Sequence, residues 1–150
     1  MNIFDGLAKV GFIDLGFAPW KSGEGLQIQN LEKLNDEAPG VYVMHYEGVI
    51  YKVGKSSASL RRRLTGYRRF DRDYLACPEQ GRDKSSQKQR SAIKEFSLPG
   101  LSVLALQAKI STDTIPILGI EVKTTSFDPH DYEKKLIDIL KDKHPLKFGR

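Results

Sequence analysis

The chain has 150 residues, a formal net charge of +5, a pI of about 9.3 and a mean hydropathy of −0.43. That suits one water-soluble domain with one core, and no apolar run approaches the roughly 18 residues a membrane span needs. The single cysteine, Cys77, excludes a disulfide framework and a cysteine-based metal site. The start, MNIFDGLAKV, lacks a basic region and a long apolar region, so no leader is expected and the cytoplasm is the expected compartment.

Charge is unevenly spread. From Lys52 to Lys94 there are 13 basic and 4 acidic residues, and the rest of the chain is net acidic. A concentrated basic segment is the electrostatic footprint of a polyanion partner, and a solvated helix face gives the same count.

Residues 1–38 read as an irregular N-terminal arm, with a glycine-rich loop at SGEG. Within it, LQIQNLEKL suits either a strand or a helical turn. Pro39-Gly40 ends the arm, and residues 39–150 follow as the main body of a single compact unit. GVYVMHYE and GVIYKVGK are rich in β-branched and aromatic residues and flank Glu47-Gly48, which predicts a β-hairpin. A two-residue turn puts Tyr42 opposite Val53, and a three-residue turn puts it opposite Lys52. Alternation leaves both registers open.

A helix is predicted over Ser59 to about Tyr74, with Leu60, Leu64 and Tyr67 at apolar spacing. A second, more polar helix is predicted from about Lys84 to Phe96. LSVLALQAKI is the strongest strand signal, bounded by Gly100 and a turn at STDT. ILGIEVKTT predicts a further strand. Asp128-Pro129 opens a last helix that buries Leu136, Ile137, Ile139 and Leu140 and ends at His144-Pro145. This order predicts a small α+β fold with a mainly antiparallel, three-stranded sheet flanked by helices.

Phosphate-loop, GxSxG and HExxH patterns are absent. His45, His130 and His144 do not cluster by spacing, and each reads as structural or solvated. What remains is a polyanion site. Phosphodiester hydrolysis needs an activated water, cations around the phosphate, and usually a metal held by a carboxylate. Tyrosine is a poor base at its ordinary pKa near 10, and a neighbouring cation favours the phenolate. Tyr42 and Lys52 on one sheet face would make such a pair. Arg63, on the following helix, could hold the phosphate with two parallel hydrogen bonds.

Gly40-Val41-Tyr42, then Lys52-Val53-Gly54 with Ser56 after it, then Arg63 on a helix, resemble the signature of the GIY-YIG nuclease superfamily. Lysine in place of the second motif's tyrosine resembles its compact restriction endonucleases. The resemblance spans roughly residues 38 to 144. It implies metal-dependent cleavage of double-stranded DNA, with Mg²⁺ or Mn²⁺ as cofactor. In it, Tyr42 activates the attacking water, Lys52 polarises it, Arg63 stabilises the phosphate, and Glu133 holds the metal. Tyr67 matches a position where the family places His or Tyr. The resemblance favours the three-residue turn. It also implies a homodimer where both strands are cut, with one active site per subunit.

Lys55, Arg61, Arg62, Arg68, Arg69, Lys84, Lys88 and Arg90 are the expected phosphate contacts, which position a protein on DNA without reading sequence. Many family members carry an asparagine after the glutamate helix, where this chain reads PLKFGR. The alternative reading is therefore a nucleic-acid-binding module of the same fold without catalysis. A basic domain for a protein partner is the third.

Overall fold

Short runs of β-branched and aromatic residues, each closed by a turn residue, set most of the architecture. The computed structural model describes residues 3–72, 94, 95, 97 and 99–143. In chain order the elements are helix α1 (Ile3–Lys9), strands β1 (Ile13–Lys21) and β2 (Gly25–Leu26), and a 3-10 turn at Leu31–Lys33. Strands β3 (Gly40–Tyr46) and β4 (Val49–Ser56) follow, then helix α2 (Leu60–Tyr67). Strands β5 (Gly100–Gln107), β6 (Ile110–Ile115) and β7 (Ile120–Thr125) precede the last helix, α3 (Pro129–Lys143).

The main sheet has five strands in the order β2-β1-β5-β3-β4, with every neighbouring pair antiparallel. The expected three-stranded sheet is thus corrected to five. Both added strands come from the segment read as an irregular arm. β1 escapes a period-two reading because its register shifts between Asp14 and Gly16. That bulge spaces its buried residues, Leu15 and Ala18, three apart. LQIQNLEKL, left open between strand and helical turn, supplies the end of β2 and the 3-10 turn.

Each sheet face carries a core. On one face Tyr42 and Met44 pack with Leu15, Ala18, Ile28, Leu60 and Leu64. On the other, Val41, Val43, Ile50 and Val53 pack with Leu7 of α1 and Leu136 and Leu140 of α3. Helix α2 therefore covers one face and α3 the other. Both helices pack against β4, which is an edge strand of the sheet.

The hairpin register differs from both expected forms. The turn has two residues, with Tyr46 opposite Val49, and Glu47 and Gly48 both lie at positive φ (50° and 78°). The pairing then slips, because Met44 faces Lys52 while His45 faces Ile50. Tyr51 is the extra residue of a β-bulge, and Tyr42 consequently faces Gly54. An unbulged two-residue hairpin would send Lys52 to the opposite face from Tyr42. The bulge returns it to Tyr42's face as a diagonal neighbour.

Helix α2 starts at Ser59, whose hydroxyl accepts from the Arg62 amide at 3.1 Å. It ends at Tyr67, short of the expected Tyr74, and a turn at Arg68-Arg69 leads into a second helical segment from Phe70. STDT lies inside β6, and the turn falls at Pro116–Gly119 instead. In α3, the Asp128 carboxylate accepts from the His130 amide at 3.0 Å, as an N-cap does. Leu136 and Leu140 are buried as expected, whereas Ile139 is 54% exposed. The predicted helix from Lys84 to Phe96 falls almost wholly outside the described residues, as do Lys84, Lys88 and Arg90.

A two-residue turn with positive φ at both positions favours Asn-Gly, and glutamate at its first position is strained. Glu47→Asn should raise stability by about 1 kcal/mol. Urea unfolding should show a higher midpoint with an unchanged slope. An unchanged midpoint would refute the turn geometry.

Candidate functional site

Four elements deliver side chains to one cleft of about 390 Å³: Tyr42 from β3, Lys52, Gly54 and Lys55 from β4, Arg63 from α2, and His130 and Glu133 from α3. Residues from both faces of β4 line it, so the cleft opens across that strand's outer edge. Tyr42, Lys52, Arg63 and Glu133, expected together from the sequence, are brought together here. Arg63 is the member of the Arg61-Arg62-Arg63 run that reaches the cleft. Arg61 turns the other way and pairs with Asp36.

Tyr42 is fully buried, and its ring lies across Gly54. A Cβ on Gly54 would overlap the Tyr42 phenol. The glycine of the second motif is therefore required by the tyrosine of the first. The phenol is 2.7 Å from the Tyr67 hydroxyl, with the two rings edge-on at 5.9 Å. Tyr67 is itself buried in the core and stacks on Phe70. It fixes the orientation of Tyr42 from behind and does not line the cleft.

Burial pushes the Tyr42 pKa up, although the Tyr67 hydrogen bond and the Arg63 cation pull it down. The expectation of a cation-lowered phenol is thus reversed. The cation that acts on Tyr42 is Arg63, which also hydrogen-bonds it. Burial raises the Tyr67 pKa as well, and more strongly. Burial disfavours the Arg63 charge, but the two phenols and Glu133 outweigh it and hold the guanidinium protonated. Arg63 stays partly open to solvent, as a group that meets a phosphate must.

Lys52 is 9% exposed. Burial, reinforced by repulsion from Arg63, lowers its pKa to about 8, and Glu133 opposes that shift. Glu133 is 5% exposed and is the one carboxylate lining the cleft among the described residues. The helix that carries it packs its Leu136 and Leu140 into the core, which turns the preceding position toward β4.

Lys55 lines the cleft, while Arg62, Arg68 and Arg69 are exposed on and just after α2. His130 was read as structural or solvated, yet it lines the cleft one helical turn before Glu133. Its spacing of three from Glu133 on one helix was the available signal. The described residues hold no cluster of three or more His, Cys, Asp or Glu side chains placed to bind a metal.

Two solved structures share this fold. A mutant of bacteriophage T4 EndoII superposes with a TM-score of 0.57 at 16% identity, covering 97% of this chain and 98% of that one. The restriction endonuclease HPY188I in complex with product DNA superposes with a TM-score of 0.55 at 22% identity, covering 95% of this chain and 81% of that one. The fold is therefore one that nucleases use, and the likeness spans nearly the whole chain, including the segment before β3. No protein-family model matches the chain, and no curated protein matches it. Among the described residues, no helix is long and apolar enough to cross a membrane.

The contact of Tyr42 with Gly54 gives one test. Gly54→Ala should displace the tyrosine ring and destabilise the protein by about 1–3 kcal/mol. It should also change the tyrosine signal in near-ultraviolet circular dichroism. Wild-type stability and an unchanged spectrum would mean that the ring does not lie there.

Lys52 gives a second test. Its ammonium is held at a lowered pKa in the fold, so the charged form opposes folding at neutral pH. Lys52→Met should stabilise the protein at pH 7 by about 1–3 kcal/mol. The sign follows from proton counting. Above the folded pKa of about 8 the native state has lost a proton that the unfolded chain keeps to about 10.5. Wild-type stability therefore rises with pH across that window, and the advantage of the variant shrinks. Urea unfolding at pH 7 and pH 10 checks both statements. A variant less stable than wild type at pH 7 would contradict the lowered pKa.

Proposed function

We propose that this chain is a DNA endonuclease of the GIY-YIG type, hydrolysing phosphodiester bonds with a divalent metal. The observation that carries this reading is the convergence of Tyr42, Lys52, Arg63 and Glu133, from two strands and two helices, on a single cleft. Two structures of the same fold, one named a restriction endonuclease in complex with product DNA, support the substrate class. The basic composition of residues 52–94, of which Lys52, Lys55 and Arg63 line the cleft, supports it independently.

The donor set fits Mg²⁺ or Mn²⁺. One buried carboxylate, Glu133, with open cleft beside it, suits an ion that keeps most of its water and shares phosphate oxygens. When bound, the metal would neutralise phosphate charge and orient the scissile group. The protein's own groups do the rest. Arg63, fixed as a cation, holds the phosphate and the charge that grows on it. Lys52, with a pKa of about 8, carries a charge at neutral pH and polarises the attacking water. Tyr42 rests as a phenol in its buried seat; it takes the water's proton only as phenolate, after its own proton has left through the cleft to solvent, and Arg63 is the cation that favours that ionised form. Tyr67 keeps the phenol aimed. Lys55, Arg62, Arg68 and Arg69 contact flanking phosphates, and Arg61 does so only by leaving Asp36. Cleavage of both strands takes a homodimer, and the expected setting is the cytoplasm.

Plasmid cleavage by purified protein, with and without Mg²⁺ or Mn²⁺, tests this. The wild type should nick or linearise the plasmid only with metal. Glu133→Ala and Tyr42→Phe should each lose at least about 100-fold of that activity while keeping DNA affinity. Wild-type protein that binds DNA but never cuts it at any metal or salt concentration would replace this reading with that of an inactive binding module.

A further inference from the structure

The ribbon formed by β6 and β7 takes no part in the cleft, yet it holds most of the exposed apolar side chains. Every residue of both strands is exposed. Ile115, Ile120 and Val122 lie along it, and its turn presents Leu118 and Ile117, the latter 96% exposed. An isolated two-stranded ribbon is marginal in water, and its outer edges can pair with another strand. DNA is a poor occupant. Residues 110–125 carry Asp113 and Glu121 against a single cation, Lys123, whereas phosphate contacts need clustered positive charge.

We propose that this ribbon is a self-association arm, which joins β7 to β7 of a second copy of the chain. The charge pattern of β7 is complementary to itself. If two copies pair antiparallel about a two-fold axis at Val122, Glu121 of each falls opposite Lys123 of the other. Val122 then meets Val122, and Ile120 meets Thr124. The result is a continuous four-stranded sheet with two opposite-charge cross-strand pairs. β6 offers no such match, since the same operation about its Asp113 sets carboxylate against carboxylate.

A second feature agrees with this register. The same axis places Leu118 of one copy beside Ser126 of the other, and Phe127 is the next residue. Phe127, Tyr132, Leu136 and Ile139 line a mainly apolar groove of about 380 Å³ along α3. The turn with Ile117 and Leu118 thus arrives at an apolar groove of the second copy. The pairing covers the outer edge of β7 and directs the apolar turn toward the segment of the second copy that carries this groove. The nuclease reading takes a homodimer only for cutting both strands and assigns it no surface; the surface proposed here is read by mass and charge substitution, so its failure and a failure to cleave DNA are separate results.

Sedimentation equilibrium of the full chain over micromolar concentrations tests it. The wild type should form dimers. Glu121→Lys and Lys123→Glu each replace two attractive pairs with two repulsive ones, and each should weaken the dimer at least about tenfold. The double variant Glu121→Lys/Lys123→Glu restores the pairs with reversed polarity and should associate within about threefold of wild type. Leu118→Asp should weaken the dimer without altering near-ultraviolet circular dichroism at the core tyrosines. A wild type that stays monomeric would overturn the proposal. Dimers indifferent to the single substitutions, or a double variant as weak as the singles, would overturn this surface.

Discussion

Tyr42 lies flat across a residue with no side chain, and the cleft depends on that contact. With its ring seated over Gly54, the phenol meets Tyr67 on the core side and Arg63 on the cleft side. The fit requires glycine at one position of β4 and a register that brings it opposite Tyr42. The register comes from the Tyr51 bulge, one extra residue in a hairpin whose turn would otherwise send Lys52 to the far face. Two local features, a missing side chain and an inserted residue, therefore set the relation between the two strands' functional groups.

The electrostatics of the cleft run against stability and fit a phosphate. Lys52 and Arg63 repel each other in a partly dry setting, and Glu133 compensates only in part. A buried lysine facing the more open Arg63 is unfavourable for an isolated domain, and an anion entering the cleft would relieve that repulsion. Tyr42 is held as a phenol by the same burial that makes its position rigid. A rigid, dry tyrosine and a cation ready to lose charge are both consequences of placing the cleft over a sheet edge that two helices close from opposite faces.

The sheet edge also explains how the site is built. Among the described residues β4 has a strand neighbour, β3, on one side only, and α2 and α3 cover its two faces. Each helix contributes one charged residue where it overhangs the edge. The β6-β7 ribbon sits outside both cores, so its apolar residues add nothing to folding of the single chain. Exposed apolar residues clustered in this way have a physical rationale in contact with another molecule, which is the basis of the self-association proposed above.

The sequence by itself determined the two motif strands, the start of the arginine-bearing helix near Ser59, and the Asp-Pro start of the last helix. These are local signals: β-branched runs, capping residues and apolar spacing read within one or two turns of chain. It also determined which residues were unusual enough to test, since a lysine inside an apolar strand is conspicuous wherever the strand lies. Only the tertiary structure decided the rest. β1 became a strand through pairing with β5, and its bulge erased the alternation that would have revealed it. The hairpin register depended on a bulge that no alternation pattern encodes. Arg63 was already singled out by its distance from Gly54, but that Arg61 pairs with Asp36, 25 residues away, was decided by the fold. The pKa of Tyr42 moved opposite to expectation because burial, a property of the whole fold, outweighed the neighbouring cation. Local chemistry is written in adjacent residues, whereas desolvation and register are set by contacts between residues far apart in the chain.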